Sequence, residues 1–204
     1  MTPPAAPAAA FDALPRGPEA AASDEALAAA AAGGNRDAFA ELVARYERPV
    51  HGLCHRMLGS AEEAEDAAQE AFVKAWRALG SFDAARPWKP WLLRIAANTA
   101  RDAARRRGRR ARTIDIADVR EESLAVAEKA RDHLQRRERE EMLAEAVAEL
   151  GPDAAAAVEL FYREEMTHEA IGGVLGRTPA AVAMLLQRTR AKLRAIIERK
   201  DPKP

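Results

Sequence analysis

Cysteine is nearly absent from this chain: Cys54 stands alone among 204 residues, so no disulfide can close within it and a stapled secreted scaffold is excluded. Aromatics are scarce as well, at 5% against 48% hydrophobic residues. Alanine therefore carries much of the apolar content, which favours helices in close approach and predicts an all-α protein. No apolar run approaches the ~20 residues that a membrane-spanning helix needs. The four histidines, His51, His55, His133 and His168, are scattered, and no glycine-rich phosphate loop occurs, so no catalytic constellation stands out and an enzyme is not expected. His51, Cys54 and His55 form a thin basis for a metal site, and a helix with a buried thiol is the simpler reading; neither metal nor cofactor is expected.

Net charge is missing too, with 32 Lys and Arg against 32 Asp and Glu. Evenly mixed, such charges would argue against a nucleic-acid partner. They are segregated instead. Glu62, Glu63, Glu65, Asp66 and Glu70 crowd one stretch, and Arg101, Arg105, Arg106, Arg107, Arg109, Arg110 and Arg112 crowd another, which points to two partners of opposite character.

Residues 1–23 are rich in Ala and Pro and lack the basic start and continuous apolar core of a secretory signal, so they read as a disordered tail on a cytoplasmic protein. Ser23 can cap a helix that ends at Gly33-Gly34-Asn35, and a second begins near Asp37 and carries Phe39, Leu42, Val43 and Tyr46 at helical spacing. Ser60 caps the clearest helix, whose Ala64, Ala67, Ala68, Ala71, Phe72, Ala75, Trp76 and Leu79 keep to one side. After a break at Gly80 to Asp83, Pro87 and Pro90 mark a helix that buries Trp88, Trp91, Leu92, Ile95 and Thr99. Residues 24–112 thus read as one helical domain and 113–130 as a linker. Residues 131–199 read as a second domain, made of a charged helix ending near Leu150, helices from Asp153 to Glu164, Thr167 to Leu175 and Thr178 to about Arg199; 200–204 is a short tail.

The last two helices have helix-turn-helix spacing. Thr167 caps the first, Ile171, Val174 and Leu175 line its inner face, Gly176 makes the left-handed turn, and Thr178-Pro179 opens the second. Val182, Leu185, Leu186, Thr189, Leu193, Ile196 and Ile197 then face inward, which leaves Ala180, Ala183, Met184, Gln187, Arg188 and Lys192 for a major groove. A plain helical hairpin shares this punctuation. A second clue lies upstream, where Arg94, Asn98, Arg101 and Arg105 fall at three- and four-residue spacing opposite the tryptophans. Arginines neutralise phosphates and an amide can pair with a base edge. A solvated face is the alternative, but the stripe runs into an arginine segment without balancing acids, which favours nucleic acid.

Two motifs together are distinctive. The run Ala64 to Trp76 (AEDAAQEAFVKAW) followed by Trp91 to Thr99 (WLLRIAANT) closely resembles region two of extracytoplasmic-function sigma factors, and the C-terminal helix-turn-helix resembles their region four, over nearly all of residues 24–199. The resemblance implies two small helical domains on a flexible linker in a subunit that binds core RNA polymerase, recognises promoter DNA and helps to melt it. By the same resemblance, Glu62, Asp66, Gln69, Glu70 and Val73 would dock on the clamp helices of the largest polymerase subunit, and region four would meet the beta flap. Phe82, Asp83, Arg86, Arg94, Asn98, Arg101 and Arg105 would read the minus-ten element and hold a flipped base; Trp88 and Trp91 fit the core better.

Region four would read the minus-thirty-five element through Arg177, Ala180, Ala183, Met184, Gln187, Arg188, Arg190 and Lys192. Here the chain departs from the family. Ala181, Ala183, Met184 and Leu185 stand where relatives carry a threonine, a basic residue, a serine and an arginine. The resemblance then implies a duplex held more by backbone and shape than by bases, with Arg177, Arg190 and Lys192 on phosphates. Gly172 and Gly173 would soften the supporting helix by ~1 kcal/mol each relative to alanine. An anti-sigma factor is the expected regulator. A helix-turn-helix regulator independent of polymerase is the alternative, but it would leave both the acidic Glu62-to-Glu70 helix and the arginine stripe unexplained; a helical adaptor would use those surfaces for protein contacts alone.

Overall fold

The computed structural model describes residues 22–111 and 149–200. Residues 1–21 and 201–204 of the expected tails, the linker at 113–130 and the charged helix up to residue 148 lie outside the described residues, as do Arg112 and the side chains of Arg109 and Arg110. Helix α1 spans Asp24–Ala32, α2 Arg36–Leu58, α3 Ala61–Ala78 and α4 Trp88–Ala111; α5 is Pro152–Val158, α6 His168–Leu175 and α7 Pro179–Lys200. No strand occurs among the described residues.

The helix starts follow side-chain chemistry. Ser23, Asn35, Ser60 and Thr167 each accept a hydrogen bond from a first-turn N–H, which satisfies one of the donors every helix leaves open. Gly59 and Gly176 end α2 and α6 in the left-handed conformation. The expected helix from Asp153 to Glu164 is found as α5 plus one π-turn, Glu159–Arg163.

Helices α2, α3 and α4 pack on one another, with α1 across α2 and against α4. Two carboxylates pin α1 in place: Asp24 accepts from Arg45 at 2.8 Å and from the Tyr46 hydroxyl, and Glu25 accepts from the Trp88 backbone N–H at 3.0 Å, capping α4 from 63 positions away. Alanine decides how close the helices come. Ala64, Ala67, Ala71 and Ala75 of α3 and Ala96, Ala97 and Ala100 of α4 are buried, around Leu42, Leu53, Leu92 and Leu93. Helix α2 also runs through Pro49, an interior break worth ~3 kcal/mol. Burial of Leu42, Val50, Leu53, Cys54 and Met57 offsets it.

The two helical units do not stand apart. Helix α5 packs on α2 and α6 on α4, and one apolar cluster runs from Ala28 through Trp88 to Leu160, Ile171, Val182 and Leu186. A smaller cluster joins Leu150 and Ala155 to Leu193.

Candidate nucleic-acid interface

Helix α3 turns its alanines inward and thereby fixes what it shows outside. Glu62, Asp66 and Gln69 are exposed, and Val73 is 48% exposed, so the expected outward stripe exists as a surface. Glu70 does not belong to it in the same way. It pairs with Lys74 at 2.8 Å and with Arg106 at 3.3 Å, while Lys74 also donates to the buried Thr99 hydroxyl at 3.2 Å. The Lys74 ammonium, helped by Arg106, holds the Glu70 carboxyl below the usual carboxylate range. Glu70 therefore fastens α3 to α4.

On α4, burial of Leu92, Leu93, Ala96, Ala97 and Ala100 leaves Arg94, Asn98 and Arg105 exposed on the far side. Arg101 is turned against the second unit. It donates to Asp153 at 3.2 Å and to the Asn98 carbonyl at 2.7 Å. The expectation of arginines without balancing acids is corrected: Arg105 meets Asp102 at 3.7 Å, Arg106 meets Glu70, and Arg107 meets Glu63 at 2.8 Å and donates to the Leu58 carbonyl. Those acids come mostly from α3, distant in sequence, so inspection of the arginine run alone could not find them.

The loop before α4 is built on its aromatics. The Phe82 ring meets Trp88 edge-on at 5.2 Å and Trp91 at 5.0 Å, and all three pack with the core. Trp88 is fully buried and its indole Nε1 is the one buried side-chain polar atom without a hydrogen-bond partner among the described residues. Beyond Phe82, Asp83 accepts from the Ala85 N–H and pairs with Arg86 at 3.5 Å, and this stretch is exposed.

Helices α6 and α7 meet at a bend of 95°, within the helix-turn-helix range. Gly172 is what lets them close. A β-carbon there would stand 2.6 Å from the Arg177 carbonyl oxygen, whereas Gly173 faces open space. The expectation that both merely soften the helix is therefore corrected for Gly172. On the outer face, Ala180, Gln187 and Arg188 are exposed, Met184 is 52% exposed and Ala183 is half-buried. The three expected phosphate-binding cations are engaged by protein groups: Arg177 with Asp153 at 2.6 Å, Arg190 with the Tyr162 hydroxyl at 2.6 Å and over the Phe161 and Tyr162 rings, and Lys192 with the Glu149 carbonyl at 2.6 Å. Arg188 makes no ion pair among the described residues.

Sequence reasoning missed a row of acids. Asp153 on α5, Glu159 in the π-turn and Glu164 just after it face Arg101, Arg56 and Lys89. In the sequence Asp153 looked only like a first-turn acid of α5. Burial by itself would raise its pKa, but the hydrogen bonds from Arg177 and Arg101 outweigh that and hold its carboxyl below the ordinary value of 3.8. Cys54 is sealed in the core, where burial pushes its thiol up to about 12, and no group of three metal-ligating side chains comes together among the described residues. No single helix among them is long and apolar enough to cross a membrane.

Comparison with known proteins agrees with this geometry. Residues 42–110 match the family model for sigma-70 region 2, and residues 140–193 the model for sigma-70 region 4. The chain is 35% identical over 164 residues to the RNA polymerase sigma factor CarQ of Myxococcus xanthus, covering 80% of this chain and 91% of that one. It is 31% identical over 159 residues to the ECF RNA polymerase sigma-E factor of Haemophilus influenzae, covering 75% and 84%. A solved structure of CnrH, in complex with the cytosolic domain of CnrY, superposes with a TM-score of 0.65 at 29% identity over 87% of this chain and 99% of that one. The chain belongs to the extracytoplasmic-function sigma factors of the sigma-70 family. It is a transcription initiation factor that binds core RNA polymerase and recognises promoter DNA, and not a stand-alone helix-turn-helix regulator.

Proposed function

We propose that this sigma factor divides its work between two faces of one rigid bundle. The outward stripe of Glu62, Asp66, Gln69 and Val73 docks on the clamp helices of the largest polymerase subunit, where acids facing a basic partner set orientation and on-rate. Glu70 supports that face by its ties to Lys74 and Arg106. Arg94, Asn98, Arg101 and Arg105, with Phe82, Asp83 and Arg86 in the loop, take the minus-ten strand. Extruding a base costs a few kcal/mol of stacking, which a pocket of polar edges and an aromatic wall can offset. The observation that carries the reading is the Glu70–Lys74–Thr99 chain of contacts, which fixes the two faces relative to one another.

Region four holds the minus-thirty-five duplex mainly through its backbone. Small or apolar Ala180, Ala183 and Met184 occupy the groove-facing surface, which leaves Gln187 and Arg188 to meet base edges and Arg177, Arg190 and Lys192 to be freed for phosphates. The beta flap receives this unit, and the functional limits are 24–112 and 131–199. The protein acts in the cytoplasm beside the polymerase, which supplies all the chemistry. An anti-sigma factor covers these surfaces when the factor is silent; that CnrH was solved with the cytosolic domain of CnrY supports such a partner. Run-off transcription with reconstituted holoenzyme on genomic fragments is the test: discrete transcripts that need this chain are expected, and their absence despite polymerase binding overturns the proposal.

A further inference from the structure

Helix α4 begins without a cap of its own. Helices α1, α2, α3 and α6 each follow a Ser, Asn or Thr that accepts from a first-turn N–H, but the residue before Trp88 is Pro87, which has no side-chain oxygen to offer. The acceptor comes from α1: Glu25 Oε1 takes the Trp88 backbone N–H at 3.0 Å. The same carboxylate places negative charge at the positive end of α4. Trp88 needs that tie. Its ring is fully buried against Phe82 and Trp91, yet its indole Nε1 finds no acceptor among the described residues.

Helix α1 also holds the other end of the loop. It packs on the short 3-10 turn Leu79–Ser81, from which Phe82 leads into the exposed residues 83–87. Neighbouring Asp24 fastens α1 to α2 through Arg45 at 2.8 Å and through the Tyr46 hydroxyl. The loop that carries Asp83 and Arg86 is therefore clasped at both ends by one helix that is itself anchored on α2.

We propose that Glu25 is a positioning residue for promoter melting. It does not touch DNA. It fixes the point where the loop becomes α4, and so sets Phe82, Asp83 and Arg86 relative to Arg94 and Asn98 before the strand arrives. A pocket for an extruded base gains from being set in advance, since every group ordered on binding subtracts from affinity. Glu25 suits this task because it is half-buried and reaches across 63 positions of sequence to a backbone donor rather than to a mobile side chain. The inference rests on the minus-ten assignment of the loop; the cap itself does not.

The test uses the full chain, free and assembled with core polymerase, with Glu25→Ala set against Glu25→Gln, whose amide keeps an accepting oxygen at the same reach. In the free chain, hydrogen exchange across residues 82–89 should quicken by about fivefold in E25A, the factor a lost cap is worth, and stay near native in E25Q. In holoenzyme, opening of the promoter recovered by run-off transcription, read by permanganate reactivity, should fall by about fivefold in E25A and return in E25Q, with polymerase affinity unchanged in both. A general loss of stability would not follow that pattern. Met57→Ala supplies the comparison. Met57 is buried one residue before Leu58, whose carbonyl accepts from Arg107, roughly 28 Å along α4 from Trp88 at about 1.5 Å per residue. M57A should lower the unfolding midpoint further than E25A does and still open the promoter as the native chain does. Native opening by E25A, equal losses in E25A and E25Q, or an equal loss in M57A overturns the proposal. D83A/R86A changes the loop itself and separates this inference from the reading beneath it. Native opening by that variant overturns the minus-ten assignment of the loop, whereas the exchange measurement on the free chain still decides whether Glu25 holds it.

Discussion

Gly172 and Gly173 are adjacent and chemically identical, yet the fold separates them. A β-carbon at 172 collides with the Arg177 carbonyl at 2.6 Å, and one at 173 meets nothing within 4 Å. Gly172→Ala should lower stability by about 2 kcal/mol or more through the turn, whereas Gly173→Ala should raise it by about 0.5–1 kcal/mol through helix propensity; thermal unfolding of the two variants checks both. Cys54 gives a second expectation at this scale. With its thiol buried and pushed up to about 12, it should resist thiol reagents at pH 8 in the folded protein and react at once in denaturant, and rapid native labelling would contradict the burial. Asn98 is exposed and accepts from Arg101, within the stripe proposed to take the minus-ten strand. Asn98→Ala should reduce open-complex formation, read by permanganate reactivity, more than it reduces polymerase affinity; equal losses would mark it as structural.

At the scale of elements, α3 shows how an alanine-rich inner side and a polar outer side follow from one periodicity. Its outward stripe was legible from the sequence because buried Ala64, Ala67, Ala71 and Ala75 leave only one direction for Asp66 and Gln69. Replacing both by alanine should weaken polymerase binding by roughly tenfold, as expected for surface charges that steer association, without changing the circular dichroism spectrum. Glu70 was not separable from them by spacing alone. Its partners are one turn along at Lys74 and 36 positions away at Arg106, and the second lies beyond any local pattern. The helix-turn-helix was legible for a related reason. Caps at Thr167 and Thr178, the left-handed Gly176 and apolar spacing are all local, whereas the diversion of Arg190 onto Tyr162 and of Lys192 onto the Glu149 carbonyl depends on chain returning from elsewhere.

For the whole molecule, the Asp153 contacts between the two units predict how the free chain responds to solution conditions. The Asp153 carboxyl has a folded-state pKa below its ordinary value, so its contribution is complete above about pH 4–5 and is lost as pH falls through the depressed value. Thermal stability should therefore not change through this group between about pH 6 and 8, and should fall through it only in strong acid. Salt acts differently. Raising ionic strength from about 0.1 M to 1 M shortens the screening length from about 10 Å to about 3 Å and weakens the partly exposed Arg101–Asp153 and Arg177–Asp153 pairs, but not the apolar contacts beneath them. A modest fall in the thermal unfolding midpoint at high salt is the expected outcome.

Sequence by itself determined the helices, their caps, which side of each is apolar and which family the chain resembles, because these rest on interactions within a few residues of one another. Tertiary structure alone decided which charges are free. Arg101, Arg106 and Arg107 read as an unopposed basic surface, and Arg177 as a phosphate contact, until the fold brings Asp153, Glu70 and Glu63 against them. The physical reason is that a side chain's partner across a packed helix interface is set by the path of the whole chain, which no local spacing encodes.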